Sequence, residues 1–351
     1  MNKKQILVVD DSAFMRKIIT DIVNSSESLE VVATARNGQD AIEKIKRYSP
    51  DAITLDVEMP VMDGLTALKI IMEEMPLPVI MLSSVTKEGA EATINALEYG
   101  ALDFITKPSS MFKINTEDVR IELIEKLKIA VNVKVRASRK TAVKEVIKPL
   151  PKYESKNKAG GLNKIVAIGT STGGPKALQE VIPKLPKNLD ASILIVQHMP
   201  AGFTKSLAER MDKLSSLTVK EAENGDMLNP GVVYIAPGDF HMHVVEKMGK
   251  LSIKLEKSPT VSGHRPSVDS MMYSLYELKN DNIIGVIMTG MGADGAKGLA
   301  KLKEKGIPII AQDEESCVVF GMPKSTINLN VVDRIVPLDR IASEIIKAME
   351  V

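Results

Sequence analysis

The chain has 351 residues, 44% of them hydrophobic, which is enough for two domains that each bury a core of their own. Its 46 Lys and Arg against 45 Asp and Glu leave a formal net charge of +1, so no global field selects nucleic acid or a membrane surface as partner. A single cysteine, Cys317, excludes an intrachain disulfide, and no run reaches the roughly 20 apolar residues of a membrane span.

The N-terminal apolar run is cut off by Asp10 and Asp11 before it could act as a signal-peptide core, so the expectation is a cytoplasmic protein without membrane insertion, taken as a monomer. Short apolar runs then alternate with helical patterns: QILVV, FMRKIITDIV, EVVATA, GQDAIEKIKRY, DAITL, GLTALKIIMEE, PVIML, EGAEATINALEYG and DFIT. Such alternation predicts a parallel sheet covered on both faces, with TEDVRIELIEKLKIA as its last helix. Residues from about 133 to 161 change character, with many lysines and little apolar periodicity after Val146, and read as a linker. The alternation restarts at KIVAIG and runs through ASILIVQ, GVVYIAPG and NIIGVIMTG, a second α/β domain. Within it HMHVVEKMGKLSIKL predicts an antiparallel β-hairpin turning at Met248 and Gly249.

Chemistry in the first domain gathers at strand ends. Asp10 and Asp11 follow the first strand and Asp56 ends the third, positions that share the carboxyl edge of a doubly wound sheet. Three carboxylates there call for a hard cation, and Mg²⁺ suits oxygen ligands from few residues. Lys107 reaches the same edge from the fifth strand, Ser83 ends the fourth where it could bond a phosphoryl oxygen, and Phe104 could follow that movement inward. Any one acidic residue at a strand end is ordinarily a soluble loop residue. The ordered set of Asp-Asp, LDVEMPVMDG, Ser and TKP resembles the response-regulator receiver domain over roughly the first 125 residues, a flavodoxin-like fold. That resemblance implies phosphorylation of Asp56 by a histidine kinase, with Mg²⁺ held by Asp11, Asp56 and the Glu58 backbone carbonyl and supported by Asp10.

In the second domain KIVAIGTSTGGPKALQEVI passes from a strand through a glycine turn into a helix, placing Ser171 at the sheet edge near donors that could stabilise an oxyanion. A plain turn or a phosphate cradle is the commoner use of such a turn, but proline precedes the lysine and GK[ST] is lacking, which weakens nucleotide hydrolysis. A serine needs a base, and the histidines are His198, His241, His243 and His264. His198 ends the next strand and returns to the edge that carries Ser171. His241 and His243 alternate on the hairpin and read as solvent-facing, while His264, before a helix, is the second choice. Asp294, after a strand and a glycine-rich loop at the same edge, could orient the imidazole, or equally cap the helix that follows it. Cys317 reads as a buried small hydrophobe.

GTSTGG, QHMP, HRPSVD, TGMGADG and SCVVFGMP, in order over 162–351, resemble the catalytic domain of the chemotaxis protein-glutamate methylesterases, a Rossmann-like α/β fold. The resemblance implies a triad of Ser171, His198 and Asp294, assisted by Thr172 and the Met291 backbone. It also implies methyl-accepting chemotaxis receptors as substrate, methanol as leaving group, deamidation of receptor glutamines as a second reaction, and no cofactor for hydrolysis. An unphosphorylated receiver is expected to limit access to the site across a linker at 126–161. The competing readings are a binding module that has lost catalysis, opposed by the intact triad residues, and a DNA-binding regulator, opposed by the lack of a basic face or helix-turn-helix pattern.

Overall fold

Ile6, Leu7, Val8 and Val9 are apolar without interruption, which suits a strand covered on both faces, and all four are fully buried. The computed structural model describes residues 3–107, 117–133 and 164–350, divided between two units. In the first, β1 (Lys4–Val9), β2 (Leu29–Ala35), β3 (Ala52–Asp56), β4 (Val79–Ser83) and β5 (Asp103–Thr106) form a parallel sheet in the order β2-β1-β3-β4-β5. Each strand but the last leads into a helix: α1 (Ala13–Asn24), α2 (Gly38–Tyr48), α3 (Gly64–Glu74) and α4 (Lys87–Glu98). Their starts are written locally, since Ser12, Asn37, Asp63 and Thr86 each accept an amide of the first turn. Helix α5 (Glu117–Ala130) buries Leu123, Leu127 and Ala130. It therefore crosses residue 125, where the sequence placed the domain limit, because the apolar stripe continues for another turn. Pro108 and the linker from residue 134 lie outside the described residues.

The second unit holds a seven-stranded parallel sheet, β14-β13-β12-β6-β7-β9-β8, built from β6 (Lys164–Thr170), β7 (Ala191–Gln197), β8 (Thr218–Glu221), β9 (Val232–Ile235), β12 (Ile283–Ile287), β13 (Ile309–Gln312) and β14 (Arg334–Val336). The hairpin is β10 (His241–Lys247) with β11 (Lys250–Glu256), antiparallel and closed by Met248 and Gly249, both at positive φ as a tight two-residue turn requires. Helices α6 (Gly174–Val181), α7 (Phe203–Leu214), α9 (Ala296–Glu304) and α10 (Met322–Ile327) begin just beyond strands β6, β7, β12 and β13, so their N-termini converge on the carboxyl edge. Helix α8 (Val268–Tyr276) packs on both the hairpin and α9, and α11 (Leu338–Met349) ends the described chain. The core runs between sheet, hairpin and α8 through Met242, Val244, Ile253, Met271, Met272 and Leu275.

Candidate functional site

Adjacent strands bring Ser171 and His198 together. Thr170 pairs with Gln197 in the β6-β7 register, and the next residue of each strand is the candidate nucleophile and the candidate base. The Gln197 side-chain amide donates to the carbonyls of both, at 3.0 Å to Ser171 and 3.1 Å to His198. The glycine turn is also tied to the segment just after β12, with Ser171 N donating to Thr289 O at 3.0 Å and Thr289 Oγ1 to Thr172 O at 3.0 Å. Gly290 presses against it so closely that a Cβ there would lie 2.9 Å from Ser171 Cβ, and Met291 follows at once. Thr172 is buried and Met291 half-buried beside the turn.

His198 presents Nε2 to Asp294 Oδ2 at 2.8 Å. Its ring is nearly buried, and Nδ1, the nitrogen that remains, has no hydrogen-bond partner among the described residues. Asp294 stands between β12 and α9, but it does not cap α9: Gly295 holds that position. Instead it accepts from the start of α8, with Val268 N at 2.7 Å on Oδ2, and Asp269 N at 3.0 Å and Ser267 Oγ at 2.8 Å on Oδ1. Asp269 returns the arrangement, taking Gly295 N and Gly298 N of α9 on its Oδ1 at 3.0 and 2.7 Å. Burial drives the Asp294 carboxyl upward, yet the bond and charge of His198 with the α8 amides outweigh it and hold Asp294 below the usual carboxylate range. Asp269 is raised, by burial first and by the nearby Asp294 charge. The cross-capping joins residues about 25 apart in the chain, a pairing with no local signal in the sequence.

His264 lies flat on His198, ring centroids 3.8 Å apart and planes within 13°. His241 and His243 do share one face, with near-parallel rings, but they are not solvent-facing. His241 is fully buried, its Nδ1 accepting Ser267 N at 3.3 Å and Nε2 placed 3.1 Å from Pro259 O, while His243 is half-buried against Ser270 Oγ at 2.7 Å. Alternation alone missed that α8 covers this side of the hairpin. Cys317 is only partly buried, on the loop beyond β13, and its thiol is pushed up to about 12 by burial and the Asp313 charge.

In the first unit Asp10, Asp11 and Asp56 bring carboxylate oxygens within 4.8 Å of one another, with Asp11 exposed and the other two buried. Lys107 Nζ bridges Asp10 at 2.8 Å and Asp56 at 2.6 Å. Burial raises Asp56 to about 6 against the pull of Lys107, with Asp10 adding to the rise. Glu58 sits on the exposed loop after β3, its N–H 3.4 Å from Asp56 Oδ1. Gly64 lets α3 start against Asp56, because a Cβ would fall 2.0 Å from the Asp56 carbonyl oxygen. An oxygen-only donor set with one open member fits a hard, partly hydrated divalent cation.

The two switch candidates, Phe104 and Ser83, are both buried. Phe104 is inside, 4% exposed, where β5 lies under α5. Ser83 is fully buried and turned to α4: its hydroxyl donates to Gly89 O at 3.1 Å and lies 2.6 Å from Thr93 Oγ1.

The model of the CheB methylesterase family matches residues 166–345, and that of the response regulator receiver domain residues 6–117. The chain is 48% identical to a protein-glutamate methylesterase/protein-glutamine glutaminase of Pyrococcus horikoshii, over 99% of this chain and 94% of that one. It is 52% identical to the protein of the same name from Halalkalibacterium halodurans, over 98% and 97%. The crystal structure of the Thermotoga maritima CheB methylesterase catalytic domain superposes with a TM-score of 0.52 at 51% identity, covering 53% of this chain and 98% of that one.

Proposed function

The chain belongs to the CheB methylesterase family and carries a response regulator receiver domain ahead of the catalytic one, and on that premise we propose that it is a phosphorylation-controlled serine hydrolase of chemotaxis receptors. Its substrates in this reading are glutamate methyl esters, with receptor glutamines deamidated at the same site. The receiver covers about 1–130, its last helix running past residue 125 to Ala130, the tether follows to 161, and the catalytic domain covers 162–351.

The observation that carries the reading is the imidazole of His198, held through Nε2 by a satisfied carboxylate while its buried Nδ1 has no partner among the described residues, just past the strand beside the one that leads to Ser171. Ser171 Oγ attacks the ester carbonyl as His198 Nδ1 takes its proton, and Asp294 stabilises the imidazolium that forms. His198 returns the proton to the departing methoxide. Water, deprotonated by the same nitrogen, then releases the acyl group as glutamate. For a glutamine the leaving group is ammonia and the other steps are shared. Backbone donors around Thr172 and Met291 would stabilise the oxyanion, and His264 would support the base by stacking on it.

In the receiver, Asp56 takes the phosphoryl group from a histidine kinase. Mg²⁺ would be held by Asp11, Asp56 and the Glu58 carbonyl, with Asp10 supporting, and would neutralise charge on the arriving group. Lys107 would then pair with a phosphoryl oxygen and Ser83 would bond another. The unphosphorylated receiver limits receptor access to Ser171, and a bias of a few kcal/mol between two states is enough to change accessible enzyme many-fold.

Methanol release from methylated receptor, with and without a phosphoryl donor, tests both halves in wild type, Asp56→Ala and Ser171→Ala. Ser171→Ala should lose hydrolysis, by roughly 10⁴-fold or more, while still accepting phosphate. Asp56→Ala should keep the resting rate and lose the response to the donor. Persistent turnover in Ser171→Ala would defeat the catalytic assignment, and a preserved donor response in Asp56→Ala the regulatory one.

A further inference from the structure

Asp294 accepts four hydrogen bonds, and only one of them comes from His198. Two are amides at the start of α8, which any residue supplies. The fourth is a side-chain hydroxyl, Ser267 Oγ, fully buried and 2.8 Å from Asp294 Oδ1. The same oxygen accepts Ser270 N at 3.2 Å as the N-cap of α8, so its one proton is committed to Asp294. Ser267 is fixed in turn from the hairpin, where the fully buried His241 receives the Ser267 N–H on Nδ1. The Pro259 carbonyl, 3.1 Å from Nε2, requires the proton on that nitrogen, which leaves Nδ1 free to accept. On the far side of Ser267, Arg265 pairs with Asp239 and donates to Ser258 O at 2.7 Å, pinning the loop that also carries His264.

We propose that Ser267, locked by His241, is a positioning residue for the hydrolytic reaction: it fixes the second oxygen of Asp294 so that the first can hold His198 through Nε2 and leave Nδ1 to take the proton of Ser171. This inference rests on the reading of Ser171, His198 and Asp294 as the catalytic set. Ser267 and His241 are both fully buried, behind Asp294 and out of reach of solvent. Their effect is felt in turnover and in the charge balance of the base, and leaves binding alone. A carboxylate that loses a donor keeps more of its charge for the imidazolium, so the base should hold its proton to higher pH. The other titratable groups around the pair are Asp269 on α8, His264 against the His198 ring, and His243 against Ser270. None is altered by the substitutions below.

The test uses the full chain with a γ-methyl glutamyl peptide, following kcat, KM and the acid limb of the pH–rate profile alongside the thermal midpoint. Ser267→Gly removes the hydroxyl but keeps an adequate N-cap, so a merely structural role predicts little change. Here it should lower kcat about tenfold, the weight of one hydrogen bond to a charge, leave KM within about twofold and move the acid limb upward. Ser267→Thr should restore both. His241→Ala should act in the same direction, and His241→Asn, which puts an amide oxygen near the place of Nδ1, should recover kcat even though both His241 variants lower the thermal midpoint. Wild-type kcat and acid limb in Ser267→Gly, with Ser171→Ala inactive, would overturn this inference alone. His241→Asn as slow as His241→Ala would remove His241 from it. Turnover surviving Ser171→Ala would overturn the serine reading and this inference together.

Discussion

Each unit places by the carboxyl edge of its parallel sheet a carboxylate that is almost wholly out of water, Asp56 at 3% exposure and Asp294 at 2%, yet the two are driven in opposite directions. Asp56 is raised to about 6, whereas Asp294 is held below the usual carboxylate range. Burial is alike, so the difference lies in the donors. Asp294 has two amides, a hydroxyl and an imidazole, while Asp56 has one shared lysine, one long amide contact and a second carboxylate beside it. A carboxylate meant to stay put is saturated with donors, and one meant to receive a new group is left underserved.

Asp294→Asn should produce the largest break in this comparison. Turnover should fall on the order of 10⁴-fold, because an amide presents hydrogens where His198 needs an acceptor. Stability should fall as well, by about 2–4 kcal/mol at neutral pH, since four donors lose part of their acceptor. A lowered carboxyl contributes stability that is present above its unfolded value and lost as pH falls through the folded one, so the gap from wild type should narrow on acidification. Denaturant melts of the two proteins from neutral pH into the acid range would check this. A gap that grows toward acid would mean that Asp294 is not the satisfied carboxylate described here.

The backbone scaffold of that contrast was readable from the sequence. Uninterrupted apolar runs gave the parallel strands of both sheets, and Met248-Gly249 marked the hairpin turn. The strands β8, β13 and β14, of three or four residues, are not among the elements the apolar runs pick out. What the sequence could not carry were the long-range side-chain relations: Asp269 and Asp294 capping one another's helices, His264 stacked on His198, His241 drawn under α8. Each depends on two loops meeting in space, and an Asp before a helix or a His in an alternating strand reads alike with or without its partner. The same holds for Ser83, whose place at a strand end was plain but whose hydroxyl direction is set by α4.

Asp56→Asn should have a smaller effect of opposite sign. A carboxyl raised in the fold contributes stability that is full below its unfolded value near 3.8 and is lost as pH rises through about 6. At pH 7.5 the ionised Asp56 therefore weighs against the folded receiver, and the neutral amide should stabilise it by about 1–3 kcal/mol, an advantage that fades below about pH 4. The melt belongs in EDTA, because a cation bound to wild type would reverse the ranking. Equal stabilities at pH 7.5, or a less stable variant, would show that Lys107 satisfies Asp56 more fully than its geometry indicates.

The smallest expected effect separates two buried hydroxyls, Ser267, which bonds Asp294, and Ser83, which is turned to α4. Ser267 gives its proton to Asp294 and is fixed from both sides, whereas Ser83 gives its own to the Gly89 carbonyl of α4 in competition with Thr93, whose Oγ1 is 2.8 Å from the same oxygen. To bond a phosphoryl group on Asp56, Ser83 must leave that carbonyl and Thr93. Thr93→Val keeps the buried shape and removes one of the three groups in reach of the Ser83 hydroxyl, the others being the Gly89 and Ser84 carbonyls, so the switch should cost less to throw. Beryllium fluoride with Mg²⁺, as a stand-in for the phosphoryl group, should bind the variant a few-fold tighter, within the roughly 1 kcal/mol of a neutral hydrogen bond. Ser83→Ala should bind it more weakly. Unchanged or weaker binding by Thr93→Val would mean that the bond to α4 does not restrain Ser83, and the two hydroxyls would then differ in position without differing in freedom.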